Sequence, residues 1–194
     1  MKRLSQALVL LLAASMLTMC QKKTQSDNLE QEEAQIDIKK EAFQQTVNGK
    51  QTDLYILSNK NGVKAAITNY GGRIVSLKIP DKNGQFGNIV LGYDSLSDYL
   101  NNPEQYFGAL IGRYGNRIDE GRFTLDGTEY TLATNNGPNH LHGGDVGFND
   151  RVWTAEQLDD QNLRLSYTSD HMEEGYPGKL RVKVLYTLTS DNAL

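Results

Sequence analysis

Cysteine is almost missing from this chain. Cys20 is the only one, so no disulfide can close within the chain. Proline is scarce, with 4 residues. No apolar stretch reaches the ~20 residues that a membrane-spanning helix needs. Ala7–Met19 comes nearest, and it is interrupted by Ser15 and Thr18. Basic clusters are also missing, and the net charge is −4 with a sequence pI near 5.4. An acidic chain without a basic patch argues against nucleic acid as a partner. Hydrophobic residues make up 38% and charged residues 23%, which excludes a wholly disordered chain and suits a folded domain with a real core.

What is present begins with an address. Lys2 and Arg3 precede the short apolar run, the order of a secretory signal. Cys20 follows directly. Leu17-Thr18-Met19-Cys20 therefore resembles a bacterial lipoprotein signal, in which the cysteine is lipidated and becomes the new N-terminus. Met19 departs from that pattern, where a small residue is usual. The alternative is an ordinary cleaved signal with an incidental cysteine. Residues 21–37 are mostly Gln, Lys, Glu, Asp and Ser, too polar to offset the entropy of ordering, and are expected to form a flexible tether. The expected organisation is a signal at 1–20, the tether at 21–37 and a domain at 38–194, exported to the periplasm or held at the membrane by a lipid anchor.

Beyond residue 50 the apolar pattern has period two. Val75, Leu77 and Ile79 alternate with polar neighbours until Pro80 and the Asn83-Gly84 turn. Phe123 and Leu125 run into Asp126-Gly127, with Tyr130 and Leu132 beyond, a hairpin with suitable turn residues. Leu180, Val182, Val184, Tyr186 and Leu188 predict a half-buried antiparallel strand. Shorter strands are expected at 54–57, 63–68, 89–92, 152–157 and 163–168. One helical turn is expected at 95–101, capped by Ser95 with Asp98 three residues on. With 18 glycines and 10 tyrosines, the pattern points to an all-β sandwich or barrel.

Three glycine-rich segments interrupt these strands. In Gly112–Ile118, Arg113 and Arg117 offer rigid donor forks around Asn116, suited to hydroxyl or carboxylate oxygens; a turn held by a structural ion pair is the alternative. In Asn135–Gly144, His140 and His142 lie two apart. An extended backbone would send both imidazoles to one side, as a metal site wants, but no further ligand is evident from spacing. Gly-Pro and Gly-Gly there suggest instead a loop whose backbone closely approaches a ligand or another strand, with a histidine that bonds a sugar hydroxyl and exchanges protons near neutral pH. Glu173–Gly178 is expected to be a solvated acidic turn.

Taken in order, Thr68–Leu77, Gly112–Ile118, Leu141-His142-Gly143-Gly144 with Gly147-Phe148, Trp153, and Glu174–Gly178 resemble the aldose 1-epimerase (mutarotase) family. Gly115, Asn149 and His171 depart from its usual alanine, aspartate and glycine. The resemblance implies a large antiparallel β-sandwich and interconversion of the α and β anomers of free aldoses such as glucose and galactose. It implies that Asn116 and Arg117 bind sugar hydroxyls. His142, the first active-site histidine, would contact the sugar and support proton transfer, while His140 is loop structure. The family's general acid, a histidine in a Thr-Asn-His segment, and its late general-base glutamate find no match here. The expectation is thus an N-terminal fragment, incomplete as a sandwich and inactive alone. No metal is needed for this chemistry, although some bacterial relatives carry calcium. Competing expectations are a non-catalytic carbohydrate-binding module, an epimerase for a phosphorylated sugar, and a scaffold lipoprotein. On the epimerase reading, Arg117 and His142 should converge on one sugar-sized hollow.

Overall fold

The structure is a computed structural model that describes residues 33–102 and 106–194. The expected export signal, Cys20 and most of the expected tether lie outside these residues. The strands are β1 (Thr46–Val47), β2 (Lys50–Gln51), β3 (Leu54–Ser58), β4 (Lys64–Thr68), β5 (Ile74–Pro80) and β6 (Phe86–Asn88). After helix α1 (Leu96–Asn101) come β7 (Arg117–Ile118), β8 (Arg122–Leu125), β9 (Thr128–Thr131), β10 (His140–Leu141), β11 (Thr154–Gln157), β12 (Asn162–Ser169) and β13 (Leu180–Thr187).

Two antiparallel sheets, β3-β4-β5-β6 and β11-β12-β13, share an apolar layer. Leu57, Val63, Ala65 and Ile67 meet Trp153, Leu163 and Leu165 in it, all buried. The central strand β4 is buried on both faces. Its Ala66 joins a second cluster with Phe43, Leu54, Tyr70, Leu96 and Tyr99. Both faces of β4 being covered explains why its sequence is nearly continuously apolar instead of alternating. Strand β12 is likewise central, while Leu185 on the outer strand β13 is exposed.

The Asp126-Gly127 hairpin forms with both residues at positive φ, at 51° and 80°, as a type I′ turn requires. The α1 cap also forms: the Ser95 hydroxyl accepts the Asp98 N–H and donates to its carboxylate. Two expectations fail. Ile89–Gly92 is not a strand; the pairing stops at Asn88, and Ile89 and Leu91 are 59% and 72% exposed. The C-terminal end of the tether is not loose either. Ala34 is buried and donates its N–H to Gly62 O, Ile36 packs on the second cluster, and Asp37 pairs with Lys78. Ala34, Ile36 and Ile38 alternate with polar residues and gave this segment enough apolar surface to bury.

The loop after β4 is stitched to the segment before β11. Gly71 donates to Arg151 O, and Trp153 to Asn69 O. Arg73 lies at the centre, fully buried. It donates to Asn149 O at 3.0 Å and Phe107 O at 3.3 Å, sits 3.7 Å from Asp150, and faces the Tyr99 ring at 4.9 Å. Burial lowers its pKa from the ordinary value, and the charges of Asp150, Tyr70 and Tyr99 oppose that shift. Arg73→Met keeps most of the volume but leaves two carbonyls and Asp150 without their cation. It is expected to cost about 2–4 kcal/mol, below the loss for a fully buried pair because Asp150 keeps some solvent. Urea unfolding followed by Trp153 fluorescence checks this, and a loss under about 1 kcal/mol would show that the buried charge is poorly paired.

Candidate active site

Two residues of ladder set the site. Antiparallel β7 and β10 pair Ile118 with His140 and Arg117 with Leu141. That register puts Asn116 and Arg117 beside His142, one step past the ladder on each strand. The exchange continues there: His142 N–H donates to Asn116 O at 3.1 Å, and Asn116 N–H donates to His142 Nδ1 at 2.9 Å. Both residues have left-handed backbones, with φ of 67° and 53°. Asparagine and histidine tolerate this better than most residues, yet it costs each of them on the order of 1 kcal/mol.

A backbone contact forces the turn. Gly143 has φ of 98°, and a Cβ built on it would collide with the Gly112 carbonyl. Gly112 in turn faces the ring of Phe148 without room for a side chain. The chain must therefore leave the strand direction at His142, and the two histidines do not share a side. His140 is buried, with Nδ1 2.8 Å from Ala133 O and Nε2 2.6 Å from the Tyr176 hydroxyl. It sits in a strand of two residues. His142 instead packs edge-on against Tyr106, with ring centres 4.7 Å apart.

The two arginines of Gly112–Ile118 part company as well. Arg113 is spent on structure: Nε donates to the Ser169 hydroxyl, Nη1 to Pro177 O, and Nη2 to the carbonyls of Ser169 and Asp170. Its partners are a hydroxyl and carbonyls, not a carboxylate. Arg117 is exposed; Nε donates to Asn136 Oδ1 at 2.8 Å and Nη1 to Asn116 Oδ1 at 3.3 Å. The acidic turn is not solvated. Tyr167 and Ser169 hydroxyls each donate to Glu173 at 2.6 Å, Glu174 accepts the Asp145 N–H at 2.9 Å, and Arg151 lies 3.7 and 3.8 Å from the two carboxylates.

A cavity of about 520 Å³ opens beside Arg117, lined also by Tyr114, Ile118, Asp119, Phe123 and Tyr176. The expectation is that Arg117 and His142 share one hollow. Asn116, Arg117 and His142 are brought together, but only Arg117 of the three lines this cavity. Sequence reasoning gave no role to Asn135, whose amide accepts from Leu141 N–H and donates to the carbonyls of Leu141 and Gly144. Asn-Asn before Gly-Pro-Asn reads as turn chemistry, which hid its task. Among the described residues no cluster of three or more His, Cys, Asp or Glu is arranged to hold a metal. No helix among them is long and apolar enough to cross a membrane.

A family model described as aldose 1-epimerase matches residues 53–194. The chain belongs to the aldose 1-epimerase family. Galactose mutarotase from Bos taurus is 48% identical over 126 residues, covering 65% of this chain and 36% of that protein. Aldose 1-epimerase from Escherichia coli (strain K12) is 35% identical over 147 residues, 76% of this chain and 42% of the relative. A solved aldose epimerase homologue from C. elegans has a TM-score of 0.67 at 31% identity, covering 71% of this chain and 42% of that one. Galactose 1-epimerase from Lactobacillus acidophilus NCFM has a TM-score of 0.65 at 26% identity, covering 76% and 43%. The chain thus spans about two fifths of the length of the relatives it matches. The ladder-and-loop site of this epimerase-family chain lies wholly within the matched span.

Partial burial, and after it the positive charge of Arg117, hold the His142 imidazole below its ordinary pKa. The neutral ring is the form that can accept the Asn116 N–H. As pH falls through the His142 midpoint, Nδ1 gains a proton and that bond is lost. A proton NMR titration should therefore place His142 below the ~6.5 of an unperturbed histidine. Arg117→Leu should raise the midpoint only partway, since burial is the larger cause. A midpoint at or above the unperturbed value would contradict the arrangement.

Proposed function

We propose that this chain supplies the sugar-binding groups of an aldose 1-epimerase acting on free hexoses such as glucose and galactose. The observation that carries the reading is the Asn116–His142 exchange beside an uncompensated Arg117, within the span that matches the family. Arg117 keeps donors for sugar hydroxyls after bonding Asn136 and Asn116. With Nδ1 accepting a backbone N–H, the proton of neutral His142 is on Nε2, which makes it a donor to a sugar oxygen.

Anomer exchange needs a base for the anomeric O–H proton and an acid for the ring oxygen. The C–O bond then opens to the aldehyde, the C1–C2 bond rotates, and the same groups run in reverse to close the ring. Each positioned group contributes about 10²–10⁴-fold. His142 supports this transfer as a hydrogen-bond donor near the reacting oxygens. His140 is sealed by Tyr176, and His171 accepts the Gly178 N–H in an exposed turn, so neither is offered as the acid. The acid and base are not assigned to these residues. The cationic start, the apolar run and Cys20 support export with a lipid anchor, which mass spectrometry of the membrane-extracted protein would test.

Polarimetry on fresh α-glucose or α-galactose is expected to show no acceleration above the buffer rate by these 194 residues. A clear acceleration would refute leaving the acid and base unassigned. In catalytically active enzyme, Arg117→Ala and His142→Ala should each lower kcat/KM at least tenfold, about 1.4 kcal/mol of transition-state stabilisation. Unchanged kinetics in folded variants would remove both from the site.

A further inference from the structure

Arg117 is a long, exposed side chain at the cavity mouth, and left alone it would sample many rotamers. Freezing such a chain costs up to about 2 kcal/mol, which a ligand must meet unless the protein has met it beforehand. Resting on the sugar-binding reading above, we propose that Asn136 is a positioning residue: its side-chain oxygen fixes the guanidinium of Arg117 in the orientation that receives sugar hydroxyls.

Three observations converge. The bond from Arg117 Nε to Asn136 Oδ1 is 2.8 Å, shorter than the 3.3 Å contact from Nη1 to Asn116. Asn136 is itself held by its backbone, which exchanges both hydrogen bonds with Asn139 across the Gly137-Pro138 turn, at 3.0 and 3.1 Å. A rigid acceptor on a rigid turn transmits its position to the side chain that bonds it. Finally, both acceptors are neutral amide oxygens. A carboxylate would hold the guanidinium as firmly but would compensate its charge. An amide fixes the plane and leaves the charge for a sugar oxygen and for holding His142 neutral. Nε is the donor best suited to the task. It is the one nearest the stem, so bonding it orients the whole planar head and leaves three of the five N–H groups for a ligand.

The test uses the full 194-residue chain and two variants. In Asn136→Leu the acceptor is removed; in Asn136→Asp it is retained. Proton–nitrogen NMR follows the Arg117 Nε–H, assigned by its loss in Arg117→Lys. The Trp153 indole N–H, which donates to Phe148 O in the core, reports in the same spectrum whether each variant is folded. Galactose is titrated into each sample. The expected result is a solvent-protected Nε–H in the wild type and in Asn136→Asp, its loss in folded Asn136→Leu, and galactose affinity at least fivefold weaker in Asn136→Leu than in Asn136→Asp, which loses only the uncompensated charge. An unchanged Nε–H signal in Asn136→Leu, or equal impairment of the two variants, would overturn the proposal. If Asn136→Leu loses the Trp153 signal, Asn136→Ala takes its place under the same criteria. A wild-type chain that binds no galactose while its Nε–H pattern follows Asn136 as described would sink the sugar reading and uphold the positioning.

Discussion

The site depends on a place where two backbones touch with no side chain between them. Gly112 and Gly143 meet so closely that a methyl group on Gly143 would strike the facing carbonyl, and Gly112 is pressed against Phe148 on its other side. Phe148 is itself a core residue. Its N–H donates to the Gly112 carbonyl at 3.2 Å, and its ring meets Trp153 edge-on at 5.6 Å and Tyr167 at 5.6 Å. Exposed Asn116 and Arg117 and half-buried His142 thereby take their geometry from the layer between the two sheets. Close-packed interiors transmit displacement instead of absorbing it, so a short ladder of two residue pairs suffices to hold the site.

Around that contact the chain sorts its arginines by the company each keeps. Arg73 is buried among carbonyls, a carboxylate and two tyrosine rings. Arg113 is saturated by the 169–177 turn, and Arg151 stands between Glu173 and Glu174. Arg117 alone of these four is exposed, held by two side-chain amides and, like Arg113, by no carboxylate. The difference from Arg73 and Arg151 is electrostatic. A guanidinium whose charge is not matched locally strengthens any hydrogen bond to an incoming oxygen, most of all where negative charge develops on it. The same charge disfavours protonation of His142.

Local devices were legible in the sequence because their causes are local. Asp126-Gly127 selects its turn through φ alone, and Ser95 caps α1 through an atom three residues away. What could not be read was set from afar. Ile89–Gly92 has the composition of a strand, but pairing with β5 ends at Asn88, and exposure follows from a missing neighbour. Glu173 and Glu174 look like solvent groups until Tyr167, Ser169, Asp145 and Arg151 are brought to them. Arg113 and Arg117 are the same residue four positions apart. Their separate fates are decided by partners at 169–177 and at 136. The family resemblance pointed to Arg117 and His142, which the β7–β10 register brings near each other, while Asn135 and Asn136 stayed hidden inside a turn signature.

His140 and His142 show how the backbone can assign opposite characters to one side chain. The Ala133 carbonyl can only accept, so Nδ1 of His140 carries the proton and Nε2 must accept, taking it from Tyr176. Burial pushes the Tyr176 hydroxyl up to about 12, which keeps it a donor at any physiological pH. At His142 the facing group is the Asn116 N–H, which can only donate, so Nδ1 is the acceptor and the proton moves to Nε2. One imidazole is thus closed at both nitrogens and serves as a rivet between β10 and the 173–178 turn. The other has its inner nitrogen occupied and its outer one protonated. Two residues apart in sequence, only the second has an N–H left to donate in a hydrogen bond.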